Sequence, residues 1–376
     1  MTEIFVAGAG VVPVGKYPLG SGRELARQAG EAALRDAGAS FLDIDAMYAG
    51  VAMPTSPQAV LAAKDLGLTG LTVIQVINAS ASGLAAVHEA TNAILAGRAE
   101  VVLVSTWDVP TTRDDPIKAM GFLPPPALFG MWARRRMHEV GTRPEHFAMV
   151  AAKNWNYARD IPHAARRADH VVTPEEVLAA PMVAAPMTAM MCTPWVYGAA
   201  AIVLTTRKGL GRLPGARWPL SRIDSSEARS EVYSGPDHVI ESQVVGPPEI
   251  SRVTVAAALD GAGYGTADVD VVQVHDAFAI EELVYAELFG FSTPGETETL
   301  IEKGAFGPGS KARFGLPEFS TDGGLIARGH PGGPSGVYQH IENLRRFREY
   351  GDRVGICHLL GAGSTCIAQV VTRVDA

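Results

Sequence analysis

One pattern occurs twice in this chain and limits its fold more than any other feature. A helical stretch closes on Ala33-Leu34-Arg35-Asp36-Ala37-Gly38, and Asp43-Ile44-Asp45 then leads into the strand-like run Ala46-Met47-Tyr48-Ala49-Gly50. Later, Ala258-Leu259-Asp260-Gly261-Ala262-Gly263 closes a second helix, and Asp268-Val269-Asp270 leads into Val271-Val272-Gln273-Val274 at the same spacing. A glycine just past a helix takes the left-handed conformation that ends it, and a short apolar run between turns reads as a buried strand. A second echo pairs Gly97-Arg98-Ala99-Glu100 before Val101-Val102-Leu103-Val104-Ser105 with Gly351-Asp352-Arg353 before Val354-Gly355-Ile356-Cys357. Chance recurrence of common strand and helix patterns competes with duplication, and the matched spacing favours duplication. Two α/β halves, 1–210 and 211–376, are therefore predicted, the first interrupted by an irregular insertion over about 108–186.

That insertion is rich in proline, arginine and methionine. It contains Leu123-Pro124-Pro125-Pro126 and a helix predicted from Glu145 to Tyr157 behind a Thr142-x-x-Glu145 capping signal. It reads as a lid that shapes a substrate pocket, or else as a dimer contact. The 376 residues, 47% hydrophobic and 19% charged, are enough to bury a large core. A net charge of -8 leaves no basic footprint for nucleic acid, and Arg134-Arg135-Arg136 and Arg345-Arg346 read as solvated helix faces. No apolar run reaches the ~18 residues of a membrane span, and no signal-peptide pattern opens the chain, so the cytoplasm is the expected location. Cys192, Cys357 and Cys366 are too few and too scattered for a disulfide framework or a zinc site. They are expected to be reduced core thiols, and no metal is expected. Gly8-Ala9-Gly10 lacks the third glycine of a dinucleotide fingerprint and precedes Val11-Val12-Pro13, so it reads as a strand-to-turn junction.

Three segments carry residues suited to chemistry. Ser80, in Asn78-Ala79-Ser80-Ala81-Ser82-Gly83, falls between the strand Ile74-Gln75-Val76-Ile77 and a helix predicted over Gly83 to Ala96. Small neighbours permit a sharp bend and close approach of a ligand, and the free amides of a helix start favour negative charge. Asn78, Ser80 and Ser82 are also competent helix caps, and from spacing alone capping is the stronger reading of Ser80. The loop from Ser320 to Gly336 is more specific, because its many glycines bracket one His330-Pro331 and present an imidazole at a bend. A neutral imidazole there can donate to a thioester oxygen or move a proton near neutral pH. His275, in Val274-His275-Asp276-Ala277-Phe278, sits at a strand end before a helix predicted over Ile280 to Leu288. It reads as an oxyanion donor or as part of a helix-capping His-Asp pair.

Together these segments resemble the thiolase superfamily, the sterol-carrier-protein type and its lipid-transfer relatives in particular. The likeness runs along nearly the whole chain. Asn78-Ala79-Ser80-Ala81-Ser82-Gly83 resembles that group's Asn-Ala-Cys-Ala-Ser-Gly turn, His275-Asp276-Ala277-Phe278 its His-Asp-Cys-Phe, and Gly329-His330-Pro331 its Gly-His-Pro loop. Gly141-Thr142, Glu145-His146-Phe147-Ala148 and Lys153-Asn154 are similar to its loop domain, and Pro181-Met182-Val183 with Gly198-Ala199-Ala200-Ala201 to its strand re-entry. The resemblance implies a five-layered α/β/α/β/α thiolase fold and a homodimer. It also implies a coenzyme A thioester as substrate without a further cofactor, with Ser80, His275 and His330 catalytic and Gly329, Gly361 and Gly363 against the substrate.

The departures shape the functional expectation. Where the family's cysteines take the acyl group and shuttle the proton, this chain has Ser80 and Ala277. In Cys357-His358-Leu359-Leu360-Gly361-Ala362-Gly363 the position of the other thiolases' second cysteine falls at Leu359. A serine hydroxyl without a strong base is a poor nucleophile at neutral pH, so ordinary thiolysis is not expected. Retro-aldol cleavage of a 3-hydroxyacyl-CoA, known among thiolase-like relatives that pair with a small zinc-ribbon and OB-fold partner, needs no acyl-enzyme. Those aldolases carry tyrosines where this chain keeps His275 and His330. Acyl transfer through Ser80 activated by His330 is the runner-up, and a non-catalytic CoA-binding subunit is a third reading.

Overall fold

The repeat folds the same way twice. A computed structural model describes residues 2–53, 58–109, 125–232, 249–362 and 364–376. The helices that position the site are α1 (Gly22–Ala37), α2 (Ser82–Leu95), α3 (Pro144–Ala158), α4 (Glu249–Ala262), α5 (Ala279–Leu288) and α6 (Ser335–Glu349). In the first half the strands are β1 (Ile4–Gly15), β2 (Ala46–Gly50), β3 (Thr72–Val76), β4 (Val101–Asp108) and β5 (Tyr197–Thr206). In the second they are β6 (Leu220–Ser230), β7 (Val271–Gln273), β8 (Glu318–Phe319), β9 (Val354–Gly361) and β10 (Thr365–Val374).

Helices α1 and α4 stop at Gly38 and Gly263, with φ of 66° and 76°. The Asp-x-Asp that follows does the same work in both halves. Asp43 and Asp268 accept the amides of Ser40 and Gly265, each at 2.8 Å. Asp45 accepts the amides of Glu100 and Val101, both at 2.9 Å, where β4 begins. Asp270 accepts those of Arg353 and Val354, at 2.8 and 3.1 Å, where β9 begins. Each carboxylate thus satisfies two strand-entry amides that have no ladder partner and fixes the neighbouring strand alongside its own.

The strands form a 10-stranded sheet in the order β8-β7-β9-β10-β6-β1-β5-β4-β2-β3. Read from either edge inward, each half has its own third, second, fourth, fifth and first strand. The seam is short: only Phe5 and Val6 of β1 pair with Arg222 and Ser221 of β6. Helices α2 and α6 pack on each other and on strands of both halves, while α1 covers the outside of one half-sheet and α4 the other. The layers are therefore helix, sheet, helix pair, sheet, helix, as expected of the thiolase fold.

Several local readings change. Gly8 and Gly10 lie within β1 rather than at a junction, because a side chain there would strike α1: an added Cβ would sit 2.4 Å from the Ala33 carbonyl oxygen and 2.2 Å from that of Ala29. In the insertion, α3 starts at Pro144 behind the N-cap residue Arg143, whose amide donates to Nδ1 of His146 at 3.0 Å while His146 Nε2 meets Glu302 at 2.9 Å. Thr142 instead donates its hydroxyl to Glu298. The segment containing Leu123 and Pro124 lies outside the described residues. The arginine clusters are not simply solvated: Arg136 is buried between Glu287 and Glu298, and Arg346 between Glu318 and Asp352. A buried guanidinium persists only where carboxylates meet it, and here the carboxylates come from other elements. All three cysteines are buried and free. Among the described residues no helix is long and apolar enough to cross a membrane.

Candidate active site

Ser80 owes its direction to a tight turn between β3 and α2. Ala79 takes a left-handed φ of 46°, which bends the chain sharply. Ser82 holds that bend, accepting the Asn78 amide at 2.7 Å and donating to the Ala79 carbonyl at 2.6 Å. Helix α2 has no side-chain cap. Ser80 therefore does not cap the helix, and its Oγ lies 2.8 Å from Nε2 of His330.

His330 is carried by a turn fixed from below. Asp276 accepts the Leu325 amide at 2.8 Å through one oxygen and Asn154 of α3 at 2.8 Å through the other. Asp276 is therefore a brace for the histidine loop, not a cap on α5. Gly324, at φ 58°, leaves that carboxylate room, since an added Cβ would fall 1.9 Å from it. Asp322 and Arg328 form a buried ion pair at 2.6 Å. Gly329 turns with φ 104° against Val14 and Val196, where a Cβ would lie 2.8 Å from each. Past the histidine, the Gly333 amide donates to Asp108 at 2.6 Å, and Gly83 and Gly336 let α2 and α6 touch. At Gly361 an added Cβ would be 2.3 Å from the Asn78 carbonyl, so this glycine brings the end of β9 against the serine turn. Gly363 lies outside the described residues.

His275 completes the cluster. Its ring centroid is 5.3 Å from that of His330, with the planes at 88°. Nδ1 is 2.8 Å from Glu281 Oε1, which gives this histidine a carboxylate partner. The second oxygen of Glu281 accepts the Phe278 amide at 3.0 Å, the capping bond at the start of α5. His330 differs: its Nδ1 meets the Ser335 hydroxyl at 2.7 Å, so both of its nitrogens face hydroxyls and neither faces a carboxylate. Burial, with His275 and Arg328 nearby, pushes the His330 imidazole well below the usual histidine range and keeps it neutral. Ala277, Leu359 and Cys357 pack in one apolar cluster with Ala81 and Phe278. Burial raises the Cys357 thiol, which accepts from Asn343 at 3.1 Å, so it is a core thiol and not a ready thiolate. Among the described residues no three His, Cys, Asp or Glu side chains gather as a metal site.

Glu281 and Ser335 were not singled out in the sequence. Phe278-x-x-Glu281 carries the spacing at which a helix's third residue reaches back to its cap, and that signal points to Glu281. Ser335 opens α6 five residues past His330, and nothing in the spacing distinguishes its hydroxyl from the others nearby.

Comparison with known proteins identifies the family of the chain. Residues 4–107 match the thiolase N-terminal domain, and residues 241–371 the thiolase C-terminal domain-like family. An acetyl-CoA acetyltransferase of Methanothermobacter thermautotrophicus is 30% identical over 402 residues, spanning 99% of this chain and 100% of that protein. The chain belongs to the thiolase superfamily. Thiolase superfamily members are acyl-CoA enzymes. Human sterol carrier protein 2 is 27% identical, over 98% of this chain and 72% of that protein. A solved Ltp2-ChsH2(DUF35) aldolase shares the thiolase fold, with a TM-score of 0.82 at 23% identity over 99% of this chain and 98% of that one.

Proposed function

We propose that this thiolase-superfamily chain cleaves the C2–C3 bond of a 3-hydroxyacyl-CoA by a retro-aldol reaction, without an acyl-enzyme. One observation carries the reading: the histidine backed by a carboxylate is His275, whereas the histidine touching Ser80 is backed only by a hydroxyl. In this reaction Nε2 of His275 takes the proton of the 3-hydroxyl. The carbonyl forms at C3, the C2–C3 bond breaks, and its electron pair enters the thioester as an enolate. Ser80, itself accepting from the neutral His330, donates to the thioester oxygen as charge builds there. His275 then returns its proton to C2, giving a free carbonyl compound and a shortened acyl-CoA with no net gain or loss of protons.

The Ser80–His330 contact at 2.8 Å favours a second reading, acyl transfer through Ser80. That route needs His330 to accept the serine proton and hold the positive charge. An imidazole kept neutral by its surroundings and lacking a carboxylate partner is poorly suited to it. Replacing Ser80 separates the two. In Ser80→Ala the Nε2–H of His330 reaches the thioester oxygen directly or through one water, so cleavage should fall by no more than about tenfold. Loss of all activity in a folded Ser80→Ala protein, or an acyl adduct on wild-type Ser80, would favour acyl transfer.

The substrate-facing roles of Gly329, Gly361 and Gly363 belong to the same proposal. So does a homodimer, supported by the open edge of β3, where Ile74 and nearby Ile77 are exposed. A zinc-ribbon and OB-fold partner remains part of the reading. The solved aldolase of the same fold is a complex with a DUF35 protein.

A further inference from the structure

Resting on that reading, we infer that Glu281 is a positioning residue that locks His275 in the tautomer able to act as the base. The Glu281 carboxylate accepts from the Phe278 amide and the Tyr285 hydroxyl, and an ionised carboxylate can meet Nδ1 of His275 only as an acceptor. Oε1 faces Nδ1 of His275 at 2.8 Å and the Tyr285 hydroxyl at 3.2 Å, and Oε2 faces the Phe278 amide at 3.0 Å. The carboxylate is wholly buried, and its backbone is the first turn of α5, so it cannot swing away. One side chain therefore joins two functions, capping the helix and fixing the imidazole with its proton on Nδ1. The lone pair is left on Nε2, the nitrogen available to a substrate hydroxyl. Ser335 imposes no such choice on His330, because a hydroxyl donates or accepts. The paired histidines are thereby made unlike: His275 has one permitted neutral tautomer and His330 has two.

Glutamine in place of Glu281 tests this at nearly constant shape. A carboxamide keeps an acceptor at only one of the two oxygen positions, so it cannot serve both the Phe278 amide, which meets Oε2, and the His275 Nδ1–H, which meets Oε1. If its oxygen keeps the backbone amide, its NH2 faces the imidazole. That arrangement is met only when Nδ1 accepts and the proton moves to Nε2, which removes the base. Glu281→Gln should therefore lower kcat by roughly 10- to 100-fold with KM changed less than about threefold, the pattern of a lost proton transfer rather than lost binding.

The decisive readout needs no substrate. In full-length protein with 15N-labelled histidine, assigned by comparison with His275→Gln, wild-type His275 should show a protonated Nδ1 and an unprotonated Nε2. Glu281→Gln should show the reverse. A wild-type Nε2–H tautomer, or an unchanged tautomer and kcat in a folded Glu281→Gln protein, overturns the inference. The wild-type spectrum decides even if the variant does not fold. Correct tautomers in a protein that leaves 3-hydroxyacyl-CoAs intact would overturn the proposed reaction while leaving the role of Glu281 standing.

Discussion

Replacing His330 with alanine should lower turnover of a 3-hydroxyacyl-CoA by roughly 10²- to 10⁴-fold, the range for loss of an acid-base group or an oxyanion donor. The effect should exceed that of Ser80→Ala, although the two side chains touch. His330 lies in the middle of a three-member chain, between the hydroxyls of Ser335 at 2.7 Å and Ser80 at 2.8 Å. Without the imidazole, Ser80 loses its polarising donor and the site loses the Nε2–H that takes over when Ser80 is absent. Affinity for coenzyme A should stay within a few-fold of wild type, because the ring is placed at the reacting end. Steady-state kinetics paired with calorimetric titration of coenzyme A checks both halves. Activity within a few-fold of wild type would mean that His330 only shapes the loop.

The second large effect is structural. Gly83 opens α2 against the histidine loop, and a Cβ added there would lie 2.3 Å from the Gly333 carbonyl oxygen. Backbone stands on both sides of that contact, so no side chain can rotate to relieve it. Gly83→Val should destabilise the protein by about 2–3 kcal/mol through overpacking. It should also push the loop away from the serine turn. The 2.8 Å contact between Ser80 and His330 depends on that approach, so activity should fall along with stability. Denaturant unfolding measured beside activity tests the coupling. A variant that unfolds at the wild-type midpoint would show that the loop can yield.

The sequence carried the scaffold because the same local chemistry is written twice. Helix, glycine and Asp-x-Asp are short-range features, and the second aspartate of each pair finds its amides at the next strand but one in its own half. Ser80, His275 and His330 stood out by their bends and glycines, and the fold gathers them. What the spacing left open was the direction of side chains that depend on distant partners. Ser80 could cap α2, but the turn at Ala79 sends its hydroxyl to His330, which a loop far along the chain brings within 2.8 Å. Arg136 and Arg346 looked solvated because their carboxylates, Glu287, Glu298, Glu318 and Asp352, lie on other elements. Gly8 and Gly10 looked like a turn because the helix that requires them, α1, crosses β1 only in three dimensions.

The proposed chemistry meets its most direct test in wild-type protein given matched 3-hydroxyacyl-CoA and 3-oxoacyl-CoA substrates, with products separated and the intact protein weighed at each time point. Any zinc-ribbon and OB-fold partner identified for the chain should be supplied in a parallel arm. Retro-aldol cleavage predicts a free carbonyl compound and a shortened acyl-CoA from the 3-hydroxy substrate, in equal amounts, with the protein mass unchanged throughout. Accumulation of an acyl mass on Ser80, or cleavage of only the 3-oxo substrate in the presence of free coenzyme A, would contradict it.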